Sequence, residues 1–406
     1  MLSFMIGGSL LHWAVPVHSA AQLTVCASGC AYNSIQAAIN DAEPDSTISV
    51  ASGVYVENLT LYAKRLTING ADANTTILSG GNQGRVLFLY ANTTLTLTSV
   101  TVRDGWIRDN QGGGIYSDGQ LTVNASRIIS NQASLSGGGI ANFGTLLVNR
   151  SIITNNTALM GNGGGIISGG SLQVNESTLA GNQAKLYGGG IYHGVGTFTL
   201  INSTISGNSA GVSGGGIANF DRITSANSTI STNRAQIAGG GIVNGGAWVM
   251  NSMTLAENLG GDGDSLYNSG ALTIENSIVI NKLAAGNCTN LGIVVSLGHN
   301  LDNGTTCAFH PPADLVGQNP LLGPLANNGG VTPTHALLPG SPAINAGSNA
   351  CPPPTTDQRG VIRPQSVRCD IGAYEAAQPG SNDNSGKTQS GGAPQPNSIT
   401  LPLVVK

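Results

Sequence analysis

The densest group of charges in the 406-residue chain is Arg103, Asp104, Arg108 and Asp109, gathered around Trp106, with Asp118 one turn further on. Carboxylates beside a guanidinium and an aromatic ring are the parts of a sugar-cleaving site. The ring can floor a pyranose, and the cation tunes a carboxyl group's proton affinity. Asp104, Arg108 and Asp109 are therefore the candidate catalytic residues, although a charged junction loop would carry the same residues and is the preferred reading. Asp262 and Asp264, in Gly260-Gly261-Asp262-Gly263-Asp264-Ser265, are the candidate metal ligands, for calcium held with backbone carbonyls. The stretch departs from the tandem calcium repeat of this type because Ser265 stands where a ligand aspartate belongs, and because it occurs once. His193 reads as an exposed turn residue without a partner. His299, His310 and His335 show no ligand spacing and read as structural or solvated.

Six cysteines fall into three local pairs, Cys26/Cys30, Cys288/Cys307 and Cys351/Cys369. Six allow 15 connectivities, and proximity favours these three. No zinc-type spacing occurs among them. Charged residues are only 9% of the chain, the net charge is −4, and aromatics are 4%. That balance supplies no basic face for nucleic acid and no polybasic membrane anchor. The sequence shows no cofactor fingerprint; calcium is the one ion it suggests.

Whatever positions these residues is set by a motif that returns six times. Gly-Gly-Gly-Ile begins at Gly112, Gly137, Gly163, Gly188, Gly214 and Gly239, in steps of 25 or 26 residues. So tight a period marks a stacked solenoid. Each unit holds the inward candidate Ile (Ile115, Ile140, Ile166, Ile191, Ile217, Ile242), then a Leu-x-Val strand such as Leu121-Thr122-Val123. A Ser/Thr-x-Ile strand such as Ser203-Thr204-Ile205 follows, and then an Asn (Asn131, Asn156, Asn182, Asn208, Asn233, Asn258). Short period-two runs rich in β-branched residues are strands, and no 3.6-residue apolar period persists. Three strands per unit predict one coil of a parallel β-helix, stacked at about 4.8 Å. The Ile residues then form one apolar column and the Asn residues an internal amide ladder. Leu266 is expected to hold the inward position one coil after Ile242.

The outward positions of the Leu-x-Val strand are Thr122, Asn124, Asn149, Gln173, Asn175 and Thr199, a neutral polar face. Arg150 and Glu176 lie one coil apart and are expected to pair across coils on the surface.

In chain order, residues 1–21 are expected to be a signal peptide, with apolar residues 2–17 leading into small residues. Residues 22–285 form the β-helix with its amino-terminal cap. There Asn33 or Ser34 caps a short helix whose Ile35, Ala38, Ile39 and Ala42 cover the first coil. Residues 286–375 form a disulfide-pinned cap on the other end, with Asp357, Arg359, Arg363, Asp370 and Glu375 in a buried ion network. Residues 376–398 are a flexible linker. Residues 399–406 are an apolar tail, too short to span a bilayer, expected to be read by export or attachment machinery or else to dock as a last strand.

The entry of the chain, with its helix followed by Asp45-Ser46-Thr47-Ile48-Ser49-Val50 and Gly53-Val54-Tyr55, resembles right-handed β-helix proteins of the pectate-lyase-like group. The Gly-Gly-Gly-Ile coils, with Asn202-Ser203-Thr204-Ile205-Ser206-Gly207-Asn208, resemble polymorphic-outer-membrane-type repeats of bacterial surface proteins. The run from Cys288 to Glu375, including Gly298-His299-Asn300-Leu301, Asn327-Asn328-Gly329-Gly330, Gly340-Ser341-Pro342-Ala343-Ile344-Asn345 and Asp370-Ile371-Gly372-Ala373-Tyr374-Glu375, resembles the choice-of-anchor Q module. The resemblance implies an exported or cell-surface protein. Three readings follow. The preferred one is an adhesin-like scaffold binding a glycan or protein partner without catalysis. The rival is a polysaccharide lyase or glycoside hydrolase, which needs convergent carboxylates on adjacent coils. The third is a purely structural spacer.

Overall fold

The computed structural model describes residues 22–281, 286–351 and 353–377. The expected signal peptide (1–21), nearly all of the linker and the apolar tail (399–406) lie outside these residues. The described chain winds into a right-handed parallel β-helix. Each coil contributes to stacked sheets, shown by the coil that starts at Gly188. It runs through Ile191–His193, Thr197–Ile201, Thr204–Ser206 and Ser209–Ala210. Strands equivalent to Thr197–Ile201 form a 12-stranded first face, those equivalent to Thr204–Ser206 a 12-stranded second face, and those equivalent to Ile191–His193 a 10-stranded third face. A six-stranded fourth sheet of two-residue strands lies between the second and third faces. Three strands per coil were expected. The fourth forms because two residues past each Asn corner still reach the coil above, as Gln183 and Ala184 do with Ser209 and Ala210.

The spacing of the repeat sets the register. Ile115, Ile140, Ile166, Ile191, Ile217, Ile242 and Leu266 pair in one continuous row. All are buried, and burying each aliphatic side chain is worth about 2 kcal/mol. The Asn ladder forms as expected, with Nδ2 to Oδ1 bonds of 2.9–3.0 Å from Asn131 through Asn156, Asn182, Asn208 and Asn233 to Asn258. Each acceptor oxygen also takes the backbone N–H of the preceding Asn. A second ladder runs at the corner between first and second faces. There the Ser151, Ser177, Ser203 and Ser228 hydroxyls accept the N–H of the preceding Ser at 3.1–3.2 Å.

Each glycine of a triplet has its own task. Gly188 takes φ +65° to turn the chain. A Cβ on Gly189 would collide with the carbonyls of Gly215 and Ser209. A Cβ on Gly190 would press on Gly216 O at 2.7 Å and on the Asn208 amide at 3.2 Å. The triplet therefore fits the corner tightly against both the next coil and the amide ladder.

At the amino end the helix Ile35–Asp41 buries Ile35, Ala38 and Ile39, and Ser34 caps it. The next coil completes both helix ends. Glu57 accepts from Ser34 Oγ, Ile35 N and Gln36 N at 2.7–3.0 Å, and Lys64 Nζ donates to the carbonyls of Ile39, Asn40 and Ala42. A carboxylate at the start and an ammonium at the finish are where a helix dipole favours them.

The other end differs from expectation in two ways. Pairing persists beyond Asn281, since Cys288–Asn290, Ile293–Ser296 and Leu301–Asp302 continue the third, first and second faces. Cys307 and Phe309 then pack against the last apolar residues and close the column. The remainder of the cap lies back along the second face instead of over the end. Gln358 bonds Thr204 Oγ1 (2.8 Å) and Thr229 Oγ1 (2.7 Å), and Ala373 N donates to Thr254 Oγ1 at 3.0 Å. His335 donates through Nδ1 to the Gly323 carbonyl (2.7 Å), which leaves Nε2 to accept the Ser231 hydroxyl at 2.8 Å. Short outward hydroxyls on these coils suit a flank that another segment covers. The expected ion network is present, with Arg363 to Glu375 at 3.1 Å and Arg359 to Asp357 at 2.7 Å. Burial lifts the Asp370 carboxyl within it to about 6. The three disulfides are Cys26–Cys30, Cys288–Cys307 and Cys351–Cys369.

Candidate functional site

The cap covers the second face at Thr204, Thr229, Ser231 and Thr254, and the first and third faces differ in chemistry. The first face is neutral and polar as expected. Thr67, Thr96 and Thr122 stack in one row, and Asn149 bonds Asn124 at 2.8 Å. Among its strand residues charge enters only at Arg65, Arg222 and Glu275. Arg150 and Glu176, at the adjoining corner, form the expected cross-coil pair at 2.5 Å.

The third face is aromatic, which the sequence reading missed. The residue after each inward Ile or Leu points out, and Phe88, Tyr116, Tyr192 and Tyr267 occupy that position on different coils. The residue just past the strand supplies Tyr62, Tyr90, Phe143 and Phe220. Tyr62, Tyr90, Phe88, Tyr116 and Phe143 make one unbroken file, with successive ring centroids 5.6, 4.5, 4.9 and 5.5 Å apart. A second group, Tyr187, Phe220 and Tyr192, lies further along, with centroids 6.2 and 5.4 Å from Phe220. Tyr62 is 72% exposed, Tyr90 44%, Phe220 43% and Phe143 38%. Glycines make the rings' berths: a Cβ on Gly169 would meet the Phe143 ring at 2.9 Å, and one on Gly245 the Phe220 ring at 3.0 Å.

Arg85 adds a fixed polar group to the file. Its Nε and Nη2 donate to the carbonyls of Gly112 and Gln111 at 2.8 and 2.7 Å, and its guanidinium lies 5.1 and 5.0 Å from the Phe88 and Tyr116 centroids. Burial lowers its pKa, which leaves it charged. Burial and then Asp118 push the Tyr116 phenol up, so it stays a neutral hydroxyl. Phe88 and Tyr116 stack on one another, interplanar angle 5°, while Tyr62, Tyr90 and Phe143 stay exposed beside the Tyr hydroxyls and one guanidinium, a mixture of apolar and hydrogen-bonding surface suited to sugars.

The residues singled out from the sequence lie elsewhere. Asp104 turns back to Ser79 Oγ (3.0 Å) and Arg103 Nε (3.2 Å). Arg108 and Asp109 stand exposed in the following loop, and no contact joins them to Asp104. Asp262 is exposed. Asp264 accepts Gly260 N at 2.8 Å and Asn281 Nδ2 at 2.5 Å, closing a turn with both its oxygens. Among the described residues no three His, Cys, Asp or Glu side chains are grouped to hold a metal ion.

His193 is not exposed, as its place beside a turn suggested, but fully buried. It pairs with Ser168 and Asn219 within a third internal row, where Asn142 bonds Ser168 and Asn219 bonds Asn244. Its Nε2 donates to Gly196 O at 3.1 Å and its Nδ1 has no partner, and burial lowers its pKa. Three hollows are also present, one of about 390 Å³ lying near Asn33 and Glu57 at the amino-terminal cap. A second is a trough of about 350 Å³ over the fourth sheet, near Gln183, Lys185 and Arg234. Another is a cleft of about 500 Å³ where the cap meets the last coils, near Asn303 and His335.

No family model matches the sequence, and no curated protein matches it. Among solved structures, the crystal structure of pectate lyase Pel9A matches with a TM-score of 0.57 at 11% identity, over 88% of this chain and 97% of that one. The likeness is one of fold, a pectate lyase-like parallel β-solenoid. No helix among the described residues is long and apolar enough to cross a membrane. A signal for the third face was available in the repeat: the aromatics recur at the position after the inward Ile (Tyr116, Tyr192) and three beyond it (Phe143, Phe220).

Proposed function

We propose that this protein is an exported, adhesin-like scaffold that binds a linear glycan along its third face without cleaving it. The observation that carries the reading is the unbroken file from Tyr62 to Phe143, laid along the solenoid axis in a chain with few aromatics. Coils rise about 4.8 Å, so the rings, carried on successive coils with Phe88 and Tyr90 sharing one, extend along the axis on the scale of an extended chain. Three disulfides fit an oxidising, extracellular setting. Surface attachment through a choice-of-anchor Q-like cap (286–375) and the tail (399–406) belongs to the same proposal. Calcium at Asp262 and Asp264 is not needed for it.

The test is binding to a panel of cellulose, chitin, xylan, mannan and polygalacturonate, by affinity electrophoresis and pull-down. At least one should retain the wild type. The Tyr62→Ala/Tyr90→Ala/Phe143→Ala variant should bind it roughly a hundredfold more weakly, since each ring contact is worth about 1 kcal/mol. No retention by any of the five, or undiminished binding by a folded variant, would overturn the reading. Release of unsaturated uronides from polygalacturonate, abolished by Asp104→Ala or Asp109→Ala, would restore the lyase alternative.

A further inference from the structure

The strands of the third face are uncharged, and one cation is set among its rings. None of the ten strands, from Leu59–Leu61 to Cys288–Asn290, contains Asp, Glu, Lys or Arg. Arg85 stands just before the strand Leu87–Leu89. Two backbone carbonyls fix its side chain, Gly112 O accepting from Nε and Gln111 O from Nη2. The Phe88 and Tyr116 rings flank the guanidinium. Its Nη1 donates to no described residue and is not enclosed. Among the described residues no carboxylate forms an ion pair with this half-buried cation.

A guanidinium partly removed from water, held rigid and left without a counter-ion is a ready site for an oxyanion, bound through charge-assisted hydrogen bonds. The carbonyls that hold Arg85 satisfy two of its nitrogens but bring no net charge. The surroundings also limit how much negative charge a ligand can carry. Asp118, one residue past the strand Ile115–Ser117, acts on the Tyr116 phenol. Asp221 follows Phe220 and accepts Gly196 N at 2.8 Å. Lys64, near Tyr62, is occupied by the carbonyls that end the helix Ile35–Asp41. A chain charged on every sugar would set further anions beside these carboxylates with no second cation among the rings of the file, and like charges in such a contact oppose binding.

We infer that the glycan on the third face is a largely neutral chain with an occasional acidic substituent, and that Arg85 Nη1 binds the carboxylate or sulfate of that substituent. The inference rests on the glycan-binding reading and narrows it. The rings supply apolar contact to several sugars, while the guanidinium fixes the register by holding one anionic group. The expected ligand is therefore neither a wholly neutral chain nor a polyuronate.

The probes are cellulose, chitin, xylan and mannan, sparsely carboxylated and sparsely sulfated derivatives of each, and polygalacturonate. Binding to the full chain is compared by affinity electrophoresis and pull-down at low and high salt. A derivative of the retained glycan should bind about tenfold more tightly than its neutral parent, the scale of one charge-assisted hydrogen bond, and more tightly than polygalacturonate. The carboxylated and sulfated arms identify the anion. High salt should erase the preference. Arg85→Gln should bring the ratio of derivative to parent to about one, and Arg85→Lys should restore part of it. Asp118→Asn should raise binding of polygalacturonate. Circular dichroism and melting establish that the variants fold, and the salt dependence of the wild type gives a reading without mutation. Equal retention of parent and derivatives, polygalacturonate bound most tightly, or a preference that survives Arg85→Gln or high salt would each overturn this inference and leave the glycan-binding reading in place. Retention of no probe would overturn both.

Discussion

The first and third faces are built by the same coils on the same apolar core, yet one is a lawn of Thr, Asn and Gln and the other a file of rings. Both satisfy the inward half of the repeat equally well, because strand alternation separates what a residue does for the core from what it shows to solvent. Their difference therefore has no account in the stability of the solenoid, and it is there that function is to be sought. The second face makes the contrast sharper. On its later coils the small outward hydroxyls are taken up by the cap, which bonds Thr204, Thr229, Ser231 and Thr254.

The largest expected effect comes from the corner that leads into the third face. Gly189→Ala would drive a methyl into the backbone of the next coil, at a cost of about 3 kcal/mol or more. Thermal melting should fall steeply and glycan retention with it, whereas Gln173→Ala on the first face should alter neither. If Gly189→Ala melts like the wild type, the account of the triplet fails.

The internal rows beneath the two faces should also differ in strength. Asn219, under the third face, bonds Asn244 (2.7 Å) and both the N–H and C=O of Asp221 (3.1 Å each). Ser177, under the corner of the first face, bonds Ser151 N (3.1 Å) and Asn175 O (2.6 Å). Orphaned buried groups cost about 1–3 kcal/mol each. Asn219→Ala should therefore destabilise by about 3 kcal/mol and Ser177→Ala by about 1–2 kcal/mol in urea unfolding. The reverse ranking would break the comparison.

Acid should loosen the third face first. His193 is buried neutral with its pKa below the ordinary 6.5. Its contribution is complete above that unfolded-state value and is lost as the pH falls through the lower folded-state one. Amide protection near Ile191–His193, relative to intrinsic exchange rates, should fall below pH ~6 while that of Thr197–Ile201 holds, and His193→Gln should remove the change. Asp370 in the cap works the other way. Its carboxyl, raised to about 6, is best accommodated when protonated, so its contribution shrinks as the pH rises through that value. Exchange that responds to acid equally on both faces would show that His193 is not the cause.

The smallest effect is expected at Arg150 and Glu176. Their pair is solvent-exposed, and Arg150→Ala should cost less than about 1 kcal/mol. A larger loss would mean that the corner relies on charge as well as on stacking.

Much of this architecture was legible before any coordinates. A 25- or 26-residue step put Ile115 under Ile140, Asn156 under Asn182 and Arg150 beside Glu176, because a constant period is itself a register. The aromatic face was harder to see. Tyr62 and Phe88 come from early coils without the glycine triplet, so no repeat announces that they stack with Tyr116 and Phe143. His193 was misplaced because a residue beside a turn reads as exposed, whereas its strand register points it inward. The catalytic and calcium candidates were chosen for local charge density, whereas Asp104 is held by Ser79 on the preceding coil and Asp264 by Gly260 and Asn281.

What the amino-acid sequence determined by itself is the coil: its length, its inward aliphatic residues, its amide ladder and its glycine corners. Each depends on neighbours at a fixed offset along the chain. The tertiary structure alone decided which surfaces stay open. The cap reaches back 129 residues to lay Gln358 on Thr229, and the aromatic file is assembled from coils of unequal length. Such contacts follow from how far the wound chain has travelled around its axis, a quantity that irregular early coils and a folded-back cap remove from any fixed spacing.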